Sequence, residues 1–133
     1  MKLVIITKTK LTTKPISTSF KKITLDEIES VAQLERESSK NPWSKKQLSE
    51  SISNPNNLGY LLLVQSKVIG YIIAVPSLDS ADILNLAVHK YFKRKGYGSS
   101  LIDHLSMNLK KRDIKTNRAV LVQKIILKKY LLR

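Results

Sequence analysis

Residues 59–75 hold two apolar runs back to back, "GYLLLVQ" and "KVIGYIIAV", joined by a tight polar turn near Ser66 and Lys67. Both are rich in β-branched and aromatic residues, which fit strands. Neither alternates polar with apolar, so neither face of this hairpin can be left in water. A sheet apolar on both faces has to be covered on both, and helices must supply the cover. That requirement restricts the chain to a layered α/β domain.

The flanking segments provide the helices. "SFKKIT" reads as a short first strand, and Thr24 with Glu27 forms a capping box, in which hydroxyl and carboxylate each satisfy a free backbone N–H. Apolar residues then recur at Ile28, Val31 and Leu34, one face of a 3.6-residue period that should end near Ser38–Asn41. Ser44 with Gln47 is a second capping box and opens a short helix over 45–51, which Pro55 and its neighbouring asparagines end. After Pro76 and Asp79, "ADILNLAV" reads as a fourth strand. The last helix places Leu101, Ile102, Leu105 and Leu109 on one side, with Asp103, His104 and Lys110 toward its surface. The order is β-α-α-β-β-β-α, with one further strand possible in "RAVLVQKIIL".

With 133 residues the chain suits one domain and is short for two. We divide it into a leader (1–18), a folded domain (19–116) and an atypical basic tail (117–133). The formal net charge of +14 raises the question of nucleic acid, but its distribution answers it. Residues 1–20 carry four lysines and no acid, and residues 110–133 carry nine basic residues against Asp113, which leaves +2 for everything between. Direct nucleic-acid binding is therefore not expected of the central part. No apolar run reaches membrane-spanning length, and "LVIIT" is too short for a signal peptide. The absence of cysteine removes disulfides and thiolate chemistry and fits a reducing, cytoplasmic setting.

The segment "FKRKGYGSS", Phe92–Ser100, joins the fourth strand to the last helix. A helix start leaves backbone N–H groups unpaired and carries partial positive charge, so it draws anions. Gly96 and Gly98 let backbone approach a bulky group closely, and Lys93, Arg94 and Lys95 add positive charge at the same turn. Taken by themselves these residues suit a diphosphate, and they also suit an ordinary strand-to-helix turn with solvated lysines. A Walker loop is excluded because no Gly-Lys-Ser/Thr follows, and a dinucleotide fingerprint because the glycine spacing is wrong.

In its context, "ILNLAVHKYFKRKGYGSSLIDHL" resembles motif A of the GCN5-related N-acetyltransferases, whose core is Gln/Arg-x-x-Gly-x-Gly/Ala. Here Lys93 takes the first place, followed by Arg94, Lys95, Gly96, Tyr97 and Gly98. The upstream "ITLDEIESVAQLERESSKNPWSKKQL", with Pro42-Trp43-Ser44 between the helices, resembles the RimI-type subgroup, which acetylates the N-terminal alanine of a small-subunit ribosomal protein. The resemblance covers about residues 19–115. It implies a mixed, mainly antiparallel sheet flanked by helices, acetyl-CoA as co-substrate without a metal, and the N-terminus of a ribosomal protein as acceptor. Leu86, Ala87 and Val88 would face the pantetheine, and Arg94, Lys95, Gly96, Tyr97, Gly98 and Ser99 would wrap the pyrophosphate. The Val88 N–H would polarise the thioester carbonyl.

Beyond Lys115 the family pattern continues with Glu-Val-Arg, an Asn motif, a Leu-Tyr helix and a Gly-Phe hairpin. "TNRAVLVQKIILKKYLLR" has no counterpart, so the C-terminal helix and hairpin are expected to be absent and no general base or acid is assigned. Tyr130 stands near the place of the family's proton-donating Tyr, but its neighbours do not match. Two other functions stay open, a CoA-binding remnant and a basic ribosome- or RNA-binding module. Trp43 reads equally as lining the acceptor path or as a core anchor. His89 is expected in a loop and His104 on a helix surface, with no partners at metal-ligand spacing. Asp82 is expected as a carboxylate in water at the strand start, or as a base if it faces the cleft.

Overall fold

The structure is a computed structural model and describes residues 17–77 and 80–112. The leader before residue 17, the turn at 78–79 and everything from 113 onward lie outside the described residues. So do the expectations of a further strand, a missing C-terminal helix and hairpin, and a basic tail.

Four strands form one antiparallel sheet in sequence order. They are β1 (Thr18–Lys22), β2 (Leu58–Val64), β3 (Lys67–Pro76) and β4 (Ala81–Val88). Helices α1 (Ile28–Ser38) and α2 (Lys45–Ser53) precede β2, and α3 (Tyr97–Arg112) follows β4. Both capping boxes form. Thr24 opens a short 3-10 turn, Leu25–Glu27, that leads into α1, and Ser44 opens α2. In the first, the Thr24 N–H donates to Glu27 at 2.8 Å, and Lys21 of β1 reaches the same carboxylate at 2.7 Å.

The sheet is covered on both faces, as its composition demands. On one face Leu62, Ile69, Ile72 and Ile83 pack with Leu101, Ile102, Leu105 and Leu109 of α3. Those four α3 side chains are at most 6% exposed. At about 1.5–3 kcal/mol each, their burial stabilises the fold by roughly 6–12 kcal/mol before entropy is counted. On the other face Leu61, Tyr71, Ile73 and Ala87 meet Val31, Ala32 and Leu34 of α1 and Leu48 of α2. Leu48 is the fully buried residue of α2, and Ile52, one turn on, packs partly buried against the same cluster.

The turn between β2 and β3 lies one residue earlier than expected. Gln65 and Ser66 both take left-handed backbone, with φ of 50° and 68°. A two-residue hairpin loop requires that conformation, which matches the twist of the strands. A second irregularity affects the site directly. Ile73 pairs with Asn85 and Ala74 with Ile83, so Leu84 is an extra, unopposed residue in β4. This β-bulge reverses the alternation of side chains along β4. Ala81 and Ile83 join the α3 layer, Leu84 and Ala87 join the α1–α2 layer, and Leu86 and Val88 return to α3.

His104 departs from its expected surface position. Its ring stacks on Phe20 at 4.2 Å between centroids and meets the edge of Tyr60 at 4.7 Å. Burial, with the Lys111 charge second, lowers its pKa. The 3.6-residue pattern of α3 placed His104 beside the apolar stripe, and β1, the short strand over that edge, closes on it. Asp82 is exposed, as expected for a strand-start carboxylate. Among the described residues no helix is long and apolar enough to cross a membrane, and no three His, Cys, Asp or Glu come together at a metal-binding geometry.

Candidate active site

A cleft of about 630 Å³ runs along β4 to the start of α3. β4 contributes Leu84, Asn85, Leu86 and Val88, the connecting loop Phe92, Lys93 and Arg94, and the helix start Gly96, Tyr97, Gly98 and Ser99. Backbone hydrogen bonding explains why this edge is receptive. The His89 N–H donates to the Ile69 carbonyl at 2.7 Å. Along an antiparallel ladder such bonds alternate, so the N–H and C=O of Val88 and Leu86 turn away from β3 toward the cleft. Side chains already reach both residues on that side. The Ser38 hydroxyl donates to the Val88 carbonyl at 3.4 Å, and the Leu86 N–H donates to Asn85 Oδ1 at 3.0 Å.

At the far end the loop curls through two left-handed residues, Arg94 (φ 64°) and Gly96 (φ 85°). Such backbone costs a side-chain-bearing residue about 1–2 kcal/mol, so Arg94 is held there at some cost. A Cβ on Gly96 would meet nothing within 4 Å, and one on Gly98 only Val88 Cγ2 at 4.0 Å. The space above both glycines is open, which is the condition for a large anion to approach the N–H groups at the start of α3.

The residues singled out from the sequence therefore separate. Leu86, Val88, Arg94, Gly96, Tyr97, Gly98 and Ser99 line the cleft. Ala87 does not, since it faces the α1–α2 layer, 7% exposed and paired with Tyr71. Lys95 is also outside the lining, its Nζ lying over the Phe92 ring at 5.8 Å. Tyr97 packs against the α3 layer and meets Phe92 edge-on. His89 is in a loop as expected and caps the 3-10 turn Lys90–Phe92, its Nδ1 accepting from the Tyr91 N–H. Its Nε2 lies 3.7 Å from Glu37. Trp43 is partly buried against the α1–α2 layer.

Sequence reasoning missed a buried polar chain behind the cleft. Glu35 of α1 is 2% exposed and accepts two hydrogen bonds, from the Trp43 N–H at 2.9 Å and from the Tyr71 hydroxyl at 2.8 Å. Asn85 Nδ2 in turn donates to the Tyr71 oxygen at 2.7 Å. Burial, and then the Glu35 charge beside it, pushes the Tyr71 phenol far above its usual pKa, so its proton stays on. Two signals were available in the sequence. Glu35 sits on the apolar face set by Ile28 and Val31, and Asn85 is the one polar residue inside "ILNLAV".

The acetyltransferase (GNAT) family model matches residues 28–123. The chain belongs to this family. Among curated GNAT proteins, the ribosomal protein bS18-alanine N-acetyltransferase of Escherichia coli K12 is 32% identical over 75 residues, 56% of this chain and 50% of that protein. The chain thus spans about half the length of the curated relatives it matches. The crystal structure of the E. coli ribosomal-protein-S18-alanine N-acetyltransferase superposes with a TM-score of 0.68 at 25% identity, covering 72% of this chain and 61% of that one. The PaiA N-acetyltransferase of Thermoplasma acidophilum, solved in complex with coenzyme A, has the same fold, with a TM-score of 0.64 at 22% identity and coverage of 73% and 74%. The mixed α/β architecture and the family expected from motif A are both borne out.

Proposed function

We propose that this chain binds acetyl-CoA along β4 and transfers the acetyl group to a protein N-terminal amine in the cytoplasm, with the alanine terminus of a small-subunit ribosomal protein as acceptor. The observation that carries the reading is the continuity of the cleft. Outward backbone donors at Leu86 and Val88 lead straight into an open, glycine-lined helix start.

The residues fit the co-substrate. Leu86 and Val88 offer an edge on which the amide-bearing pantetheine arm can pair as an added strand. Gly96, Gly98 and Ser99 would hold the pyrophosphate through the helix start, with Lys93 and Arg94 beside it. Bound acetyl-CoA supplies an activated thioester, and an outward backbone N–H of the β4 edge polarises its carbonyl. The acceptor must arrive as a free base. With a pKa of about 7.7–8, roughly a tenth of an α-amine is already neutral at pH 7. Its nitrogen forms the amide bond, the C–S bond breaks, and the amine loses its proton.

One observation favours a second reading, a protein that binds CoA without efficient transfer. Among the described lining residues there is no Asp, Glu or His to receive that proton. A missing general base costs on the order of 10²–10⁴-fold in rate. Calorimetry with CoA, dephospho-CoA and pantetheine, followed by acetylation of an Ala-starting peptide, separates the readings. CoA and dephospho-CoA should bind alike and pantetheine far more weakly. Equal affinity for pantetheine and CoA would refute the phosphate cradle, and CoA binding without turnover would establish the second reading.

A further inference from the structure

Behind β4, the buried Glu35–Tyr71–Asn85 chain ends at the cleft wall, and its hydrogen-bond logic runs one way. The Tyr71 hydroxyl donates to Glu35 Oε1 at 2.8 Å, which commits its one proton to that side. The Tyr71 oxygen is then left as an acceptor. Asn85 must turn its NH₂ group toward that oxygen, at 2.7 Å, and this forces Oδ1 to the opposite side, where it accepts the Leu86 N–H at 3.0 Å. A carboxylate two hydrogen bonds away thus fixes an amide that could otherwise flip. On the β4 half of the cleft lining, Asn85 supplies the one polar side chain, among Leu84, Leu86 and Val88.

Resting on the acetyl-CoA reading above, we infer that Asn85 is a positioning residue for the acceptor amine, its oxygen aimed into the cleft by Glu35 acting through Tyr71. With the pyrophosphate at Gly96 and Gly98, the pantetheine arm extends along β4 and brings the thioester toward the Leu84–Asn85 end. There an arriving acyl-CoA takes over the outward backbone donors, including the Leu86 N–H that Asn85 Oδ1 now occupies. The freed oxygen accepts an N–H of the incoming amine and orients its lone pair toward the carbonyl carbon. An amide oxygen is far too weak a base to remove the proton, so the role is orientation alone. The bulge at Leu84 makes the arrangement possible, because it places Asn85 on the Tyr71 side of the sheet.

The test uses the full chain, ¹⁵N-labelled, titrated first with acetyl-CoA and then, in the CoA complex, with an Ala-starting peptide. Acetyl-CoA should shift the Leu86 amide and the Asn85 side-chain NH₂ signals together. Asn85→Ala should bind CoA no more weakly than the wild type, because the Leu86 N–H no longer has to be released from Oδ1, and should weaken the peptide by about five- to tenfold, the worth of one hydrogen bond. Glu35→Gln should displace the Asn85 NH₂ signals while the other cross-peaks persist, because a glutamine can donate to Tyr71 and release the amide to flip. If that variant fails to fold, Tyr71→Phe gives the same readout by removing the hydroxyl. Unmoved Leu86 and Asn85 signals in a CoA-bound protein, or unchanged peptide affinity in Asn85→Ala, would overturn this inference alone. Failure to bind CoA at all would overturn it together with the proposed function.

Discussion

Gly98→Ala separates the fold from the ligand site more cleanly than any other single change. Gly98 is the second residue of α3, and an added Cβ would lie 4.0 Å from Val88 Cγ2, an ordinary van der Waals contact. The fold therefore has room for the methyl group. Replacing glycine inside a helix should even gain about 0.5–1 kcal/mol, because less backbone freedom is lost on folding. The same methyl projects into the cleft, where a phosphate oxygen must come close to the N–H groups of the helix start. Loss of one charge-assisted hydrogen bond costs about 1.5–3 kcal/mol, or roughly ten- to 150-fold in affinity. Isothermal calorimetry with CoA, paired with differential scanning calorimetry, reads both effects. We expect an unchanged or raised Tm with CoA binding weakened by that factor, whereas the weak binding of pantetheine, which lacks the pyrophosphate, should not change. A stable variant with wild-type affinity for CoA would refute the placement of the phosphate, and a collapse in Tm would refute the reading of the space around Gly98.

Other expectations follow from the same geometry. Gly96→Ala meets no steric obstacle but places a side chain at φ 85°, so it should cost about 1–2 kcal/mol and lower Tm by roughly 4–15 °C in scanning calorimetry. His104, whose pKa is lowered in the fold from 6.5, binds a proton less readily folded than unfolded. Stability should therefore be full above about pH 6.5 and fall as pH drops toward the lowered folded value, and urea titrations of His104→Phe should be flat across that window. Glu27, also lowered, chiefly by its Lys21 hydrogen bond, acts in a separate range, with its contribution present above pH 4.5 and lost below it. Leu48→Ala should cost about 2–5 kcal/mol by urea denaturation, since Leu48 is fully buried between α2 and the sheet.

Much of the fold was legible because local signals agreed with one another. The two capping boxes located the start of α1's entry turn and of α2, and β4 begins and ends where "ADILNLAV" does. The apolar hairpin required two helical layers, and two are present. The unread parts depend on contacts between residues distant in sequence. His104 appeared superficial on its own helix and is half-buried only because β1 lies across it. Ala87 and Leu86 are neighbours in the motif, yet they face opposite layers, which ordinary strand alternation allows and a linear match of residues overlooks. Glu35 and Asn85 lie 50 positions apart, and nothing local announces that Tyr71 joins them. The hairpin turn slipped by one because Gln65 and Ser66 take a backbone that glycine or asparagine would have advertised.

The extra residue at Leu84 also bears on how this sequence can change length. Strand alternation works as a two-beat phase, and a single unopposed residue shifts that phase for every position after it. A deletion at Leu84 would restore regular pairing with Ile73 and Ala74, and the ladder itself would lose nothing. Because Ile83 and Asn85 already face opposite layers, every remaining side chain of β4 would also keep its side, and only the packing of Leu84 against the α1–α2 layer would go. The bulge is thus a length of slack in β4, the place where this strand can lose a residue with both the hydrogen bonds of the sheet and the sidedness of the cleft wall preserved.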